Sequence, residues 1–139
     1  MKYSDLFQKY SPELLHNEPS FWKEFKGEFI SFDKDKEKLS TRFPVDDRYF
    51  NPLNILLGGI MDCYMDATMG PLTVLLGERE VTKSFHAKYI RSINSLDSFV
   101  KVIAWRESKG KDESIYKAEL YNDRENIAAV SEAIFVSIK

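Results

Sequence analysis

Apolar positions recur along this chain with periods that divide it into a helical lead-in, a hairpin, one long helix and four strands. Leu6, Phe7 and Tyr10 stand at helical spacing and are followed by Phe21, Trp22 and Phe25, so residues 3–25 read as an aromatic-rich helical lead-in. Residues 27–33 and 37–43 read as a first hairpin. From 57 to about 70 the side chains Leu57, Ile60, Met61, Cys63, Tyr64, Met65, Ala67 and Met69 fall on nearly every face, the pattern of a buried helix. Gly70 followed by Pro71 predicts its end. Four runs rich in Val, Ile, Phe and Tyr follow, near 81–91, 98–107, 113–121 and 127–138. No proline occurs after Pro71, as hydrogen-bonded strands require. This order predicts an α+β fold in which an antiparallel sheet packs one face on a helix. The charge-rich segments at 33–38, 78–80, 106–113 and 122–126 fall between these elements and read as solvated hairpin tips.

Composition narrows the class. With 139 residues the chain is expected to form one domain's worth of structure, the lead-in at 1–26 preceding a main domain at 27–139. Hydrophobic residues at 43% and aromatics at 14% suffice for a core. A net charge of −2 argues against a nucleic-acid partner. The one cysteine, Cys63, excludes an internal disulfide and fits a reducing compartment. No apolar run approaches the ~18 residues of a membrane span. Asp5, Gln8 and Lys9 interrupt any apolar leader at the start. The expectation is a soluble cytoplasmic protein with no membrane partner.

The central helix carries the candidate chemistry. Its acids are Asp62 and Asp66, and a carboxylate on a buried helix needs a partner or a function. Asp62 stands near the helix start, where the dipole favours negative charge. Asp66, a turn further in, reads either as a structural carboxylate bonded to a strand or as a general base or nucleophile. Gly58 and Gly59 open the helix: they let a ligand reach the unpaired N–H groups, which can stabilise an oxyanion, or they let the helix pack closely on the sheet. Asp66 lies seven residues beyond Gly59, ~10 Å at 1.5 Å per residue. One reacting carbonyl cannot touch both within one chain, so if both act, a second subunit supplies one of them. Cys63 reads as a small core residue rather than a nucleophile. His16, His86 and Cys63 make no spaced metal set, His86 reads as a structural or surface residue, and no phosphate-binding glycine loop is present. No metal or cofactor is expected.

The stretch Asn51-Pro52-Leu53-Asn54-Ile55-Leu56-Leu57-Gly58-Gly59, with Asp66-Ala67-Thr68-Met69-Gly70-Pro71, resembles the hotdog-fold acyl-CoA thioesterases, in particular the PaaI-like group. Residues 81–91 and 128–133 are similar to strands of that family, so the likeness covers about 27–138. The resemblance implies a hotdog fold, an antiparallel sheet wrapped around a long central helix, with two protomers joined edge to edge as a homodimer or a dimer of dimers. It implies an acyl-CoA or other acyl thioester substrate. Asp66 would be the base or nucleophile, and the Gly58 N–H on the partner chain would polarise the carbonyl. Asn51 would assist from the loop, and Thr82 would position water. Leu57 and Gly59 would border the substrate, with Lys88 and Arg91 near the CoA phosphates. Two positions depart from the family pattern: Leu57 stands where it has His or Gln, and Asn54 where it has Gly, a change that Asn tolerates in the left-handed region. Leu57 keeps open a second reading, a hotdog protein that binds acyl-CoA or a fatty acyl ligand without turnover.

Overall fold

The structure is a computed structural model that describes residues 2–10 and 18–138. Two short helices, α1 (Tyr3–Tyr10) and α2 (Ser20–Phe25), precede a hairpin of β1 (Glu28–Asp33) and β2 (Lys38–Pro44). After a 3-10 turn at Asp47–Tyr49 comes the long helix α3 (Gly58–Leu75), then β3 (Glu80–Tyr89), β4 (Phe99–Lys109), β5 (Glu113–Tyr121) and β6 (Ile127–Ser137). The predicted order of elements is therefore observed, with boundaries shifted by a few residues. The part of the lead-in at 11–17, including His16, lies outside the described residues.

All six strands form one antiparallel sheet in the order β1-β2-β4-β5-β6-β3. Alternation along β4 and β5 turns Val100, Val102, Ala104, Tyr116, Ala118 and Leu120 inward. One row across the sheet pairs Leu39, Ala104, Ala118, Ser131 and Ala87 in register. Four small side chains in that row let the helix lie close. Register shifts in β1, β3, β4 and β6 add the twist that curls the sheet round α3. The lead-in joins the same core: Leu6, Phe7 and Trp22 are buried, and Trp22 stacks on Phe29 and meets Phe43 edge-on.

Three expectations need correction. The helix does not end at Gly70-Pro71; Pro71 sits inside α3. An interior proline costs about 3 kcal/mol through its missing N–H and its clash with the preceding turn. Continuing the helix buries Leu72 and Leu75, at ~1.5–3 kcal/mol each, which offsets that cost. The true terminator is Gly77, at φ 83, where Gly77 N–H donates to Val74 O and Glu78 N–H to Thr73 O. Second, α3 is not buried all round. Met61, Tyr64, Met65, Thr68, Met69 and Leu72 are covered, but Gly59, Cys63 and Asp66 form an exposed stripe at helical spacing. Cys63 is on that stripe, not in the core. Third, the charge-rich segments do lie at the tips, yet they are not all solvated. Arg106 is 12% exposed and pairs with Glu37 and Glu78, tying the end of α3 to the hairpin tips.

Candidate active site

The exposed stripe of α3 lies beside β3, an edge strand, and Asp66 and Thr82 meet across it. The approach loop folds on Asn51. Its carboxamide oxygen accepts from the N–H groups of Leu53 (2.9 Å) and Ile55 (3.1 Å), and Asn54 takes the left-handed conformation at φ 61. Asn51 Oδ1 thus shapes the loop and leaves the amide nitrogen as the part of this side chain that can meet a ligand. Buried Leu56 anchors the loop through its N–H to Ile93 O at 2.8 Å. Leu57 is the N-cap of α3, makes no side-chain cap and is 45% exposed.

Behind it, the N–H groups of Gly58 and Gly59 lie in the first turn, where a helix has no acceptor for them. The two glycines differ. A Cβ on Gly58 would lie 3.0 Å from Tyr89 Cζ, whereas one on Gly59 would meet nothing within 4 Å. Gly58 thus gives the close packing foreseen for the pair, while the space beside Gly59 is open.

Asp62 is not in the first turn of α3. It accepts a 2.7 Å hydrogen bond from the Tyr89 hydroxyl, so its partner is a side chain rather than the helix dipole. Burial, then that hydrogen bond and the Asp62 charge, push the Tyr89 phenol up to about 12. One turn on, Asp66 Oδ1 accepts from Thr82 Oγ1 at 2.8 Å, which fixes one carboxylate oxygen and leaves the other available. Burial and the charges of Asp62 and Asp66 raise the Cys63 thiol, which keeps it protonated and weak as a nucleophile. Among the described residues no group of three His, Cys, Asp or Glu side chains is placed to hold a metal.

The structure thus brings Asp66 and Thr82 together, with Leu57, Gly58 and Gly59 at the start of the same helix and Asn51 in the loop that leads into it. Lys88 and Arg91 do not join them within one protomer. Phe85 and Ala87 pack on the core, so alternation puts Lys88 on the outer face of β3 with His86, beside Lys117 and Glu132. Arg91 Nη1 donates to Ile127 O at 2.6 Å. Tyr89 is the site residue that sequence reasoning missed. Its signal was the inward set Phe85, Ala87, Tyr89, which places it over the helix start.

The sequence matches no family model and no curated protein. Solved structures do match. The PaaI protein of the Escherichia coli phenylacetic acid degradation operon superposes with a TM-score of 0.84 at 17% identity, over 99% of this chain and 97% of that one. A thioesterase from Haemophilus influenzae gives 0.80 at 18% identity, over 100% and 92%. A Streptococcus mutans protein bound to acetyl CoA gives 0.79 at 18%, over 90% and 96%. These likenesses establish that the chain has the hotdog fold, as its sequence resemblance to PaaI-like proteins implied.

Proposed function

We propose that this protein is a thioester hydrolase that cleaves acyl-CoA to a carboxylic acid and free CoA, in an active site shared between two protomers. Asp66 carries the proposal: an exposed carboxylate, held through one oxygen by Thr82, on the open stripe of the central helix. Neighbours named as thioesterases and one bound to acetyl CoA support it. Because α3 is continuous, Gly58 and Asp66 stand eight residues apart, ~12 Å along the axis. A carbonyl held by a Gly58 N–H therefore meets the Asp66 of a partner subunit. The unpaired edge of β3, with Val81, Tyr89 and Ile90 exposed along it, is the surface such a partner would cover, as a dimer or a dimer of dimers.

In this reading Asp66 takes a proton from water as the water oxygen bonds to the carbonyl carbon, or attacks that carbon itself. The Gly58 N–H receives the developing oxyanion, with the Asn51 amide nitrogen beside it and Gly59 leaving room for the substrate. The C–S bond then breaks and the CoA sulfur takes up the proton held by Asp66. Where Asp66 attacks instead, CoA leaves as the thiolate, and water hydrolyses the aspartyl–acyl anhydride to release the acid and restore the carboxylate. The proton from that water goes to the CoA sulfur. Lys88 and Arg91 meet the CoA phosphates only if the assembly brings them there. A cytoplasmic location follows from the unpaired cysteine and the CoA substrate; no helix among the described residues is long and apolar enough to cross a membrane.

Leu57 favours a second reading, an acyl-CoA-binding protein without turnover, because an apolar side chain stands at the helix start where a donor would help the carbonyl. Losing one such donor lowers rates by ~100-fold or more. Free-thiol release from short, medium, long and aromatic acyl-CoAs separates the two. Release that disappears in Asp66→Ala establishes the hydrolase; intact acyl-CoA retained by a folded oligomer establishes the binding protein.

A further inference from the structure

The exposed stripe of α3 continues past Asp66 into a groove of about 550 Å³ bounded by four separate elements. Cys63, Asp66, Ala67, Gly70 and Pro71 form its floor, at the i, i+3, i+4, i+7, i+8 spacing of one helix face. Glu80, Val81 and Thr82 of β3, with Phe135 of β6, form one wall, and Phe21 and Phe25 of α2 form the other. The lead-in is thereby divided. Trp22 turns into the core at 1% exposure, while Phe21, 49% exposed, turns out along the groove. Phe25 is held edge-on against Tyr49 and Tyr64, at 5.6 and 5.2 Å between ring centroids, so this wall is anchored to the core.

The charges along the groove are one-sided. Its acids are Asp66 and Glu80, and no lysine or arginine lines it among the described residues. Glu80 is fixed there by the Tyr116 hydroxyl at 2.8 Å. An acyl group ending in a carboxylate would meet two fixed acids and no cation. A hydrocarbon chain or ring would meet Phe21, Phe25, Pro71, Val81 and Phe135.

We propose that the aromatic lead-in forms a wall of the acyl pocket, and that Phe21 and Phe25 select thioesters whose acyl group is neutral and apolar. The inference rests on the proposed role of Asp66 for the direction in which the acyl group enters. From Asp66 to Pro71 the floor runs five residues, ~7.5 Å, about six bonds of extended chain at ~1.2 Å each. The pocket therefore suits a ring or a short to medium chain. Affinity rises about three- to fourfold per buried methylene and levels off once the floor is covered.

The test uses CoA thioethers, which have no carbonyl and cannot be hydrolysed: S-hexyl-CoA, S-benzyl-CoA and S-(5-carboxypentyl)-CoA. Binding is measured by calorimetry and by protection of Cys63, which lines the groove, from alkylation by N-ethylmaleimide. The hexyl and benzyl compounds are expected to bind at least tenfold more tightly than the carboxylated one. Phe21→Ala should weaken them about tenfold, and Phe21→Arg should narrow or reverse the preference. Both variants alter a half-exposed side chain outside the buried core. Equal affinity for all three ligands overturns the inference, as does unchanged affinity of the apolar pair in both variants. Phe21-dependent binding together with no hydrolysis of the matching thioesters sustains the pocket and removes the hydrolase reading.

Discussion

The Tyr89 hydroxyl donates a 2.7 Å hydrogen bond to Asp62 Oδ1 while its ring lies against Gly58, clamping the end of β3 onto the first turn of α3. That turn has two glycines and no side-chain cap, so it would otherwise be the weakest part of the helix. Removing the hydroxyl with Tyr89→Phe should cost about 1 kcal/mol. The phenol is raised from 10.0 to about 12, so its contribution to stability is fully present below pH 10 and is lost as pH rises through about 12. In Asp62→Asn the phenol should titrate closer to 10. Gly58→Ala should do the same, since a Cβ there displaces the ring. Spectrophotometric titration, with Tyr89→Phe as the blank, reads both effects.

Thr82 bears on Asp66 in a similar way, but through the carboxylate that the proposed chemistry uses. Thr82→Val, which removes the donor and keeps the shape, should lower kcat about tenfold with little change in KM. Thr82→Ser, which keeps the hydroxyl, should restore most of it. Steady-state kinetics on the best substrate decides this, and equal rates for Val and Ser would exclude a role for the hydrogen bond.

The proposed division of the site between protomers makes a mixing prediction. Asp66→Ala and a variant with a blocked helix start, Gly58→Val, should each be inactive alone. Mixed after dissociation and reassociation, they should regain up to about a quarter of wild-type activity, because half of the dimers formed carry one intact site of two. Val81→Lys with Ile90→Lys, placed on the exposed edge of β3, should yield inactive monomers by analytical ultracentrifugation.

The centre of the core offers a test independent of function. Thr68 Oγ1 donates its one proton to Tyr64 O at 2.8 Å, so the 2.7 Å contact with Thr41 must have Thr41 as the donor. Both side chains are buried. Thr68→Val leaves the Thr41 hydroxyl without its acceptor and should cost ~1–3 kcal/mol. The double variant Thr41→Val, Thr68→Val removes the orphaned group and should cost less than the sum of the single changes. Urea denaturation of the four proteins gives the coupling.

The periods of the sequence were enough for the order of elements, because alternation and helical spacing are local and each strand and helix here obeys its own pattern. The Gly58-Gly59 pair, Asn54 and Asp66 were legible for the same reason, as each follows from a backbone conformation or a spacing along one element. Where the helix stops was not local. The turn at Gly70-Pro71 is weaker than the burial of Leu72 and Leu75, and only the packed sheet supplies that burial. Apolar composition could not say which face of α3 stays open, since it depends on how far the sheet curls. The exposed stripe with Cys63 and Asp66 therefore emerged only with the fold. The same holds for Tyr89 on Asp62 and for Phe21 beside the groove. Residues 27 and 45 positions apart meet because the sheet carries β3 to one side of α3 and the lead-in to the other. The sequence by itself determined which elements form and which residues could react, and the tertiary structure decided which of them share a face.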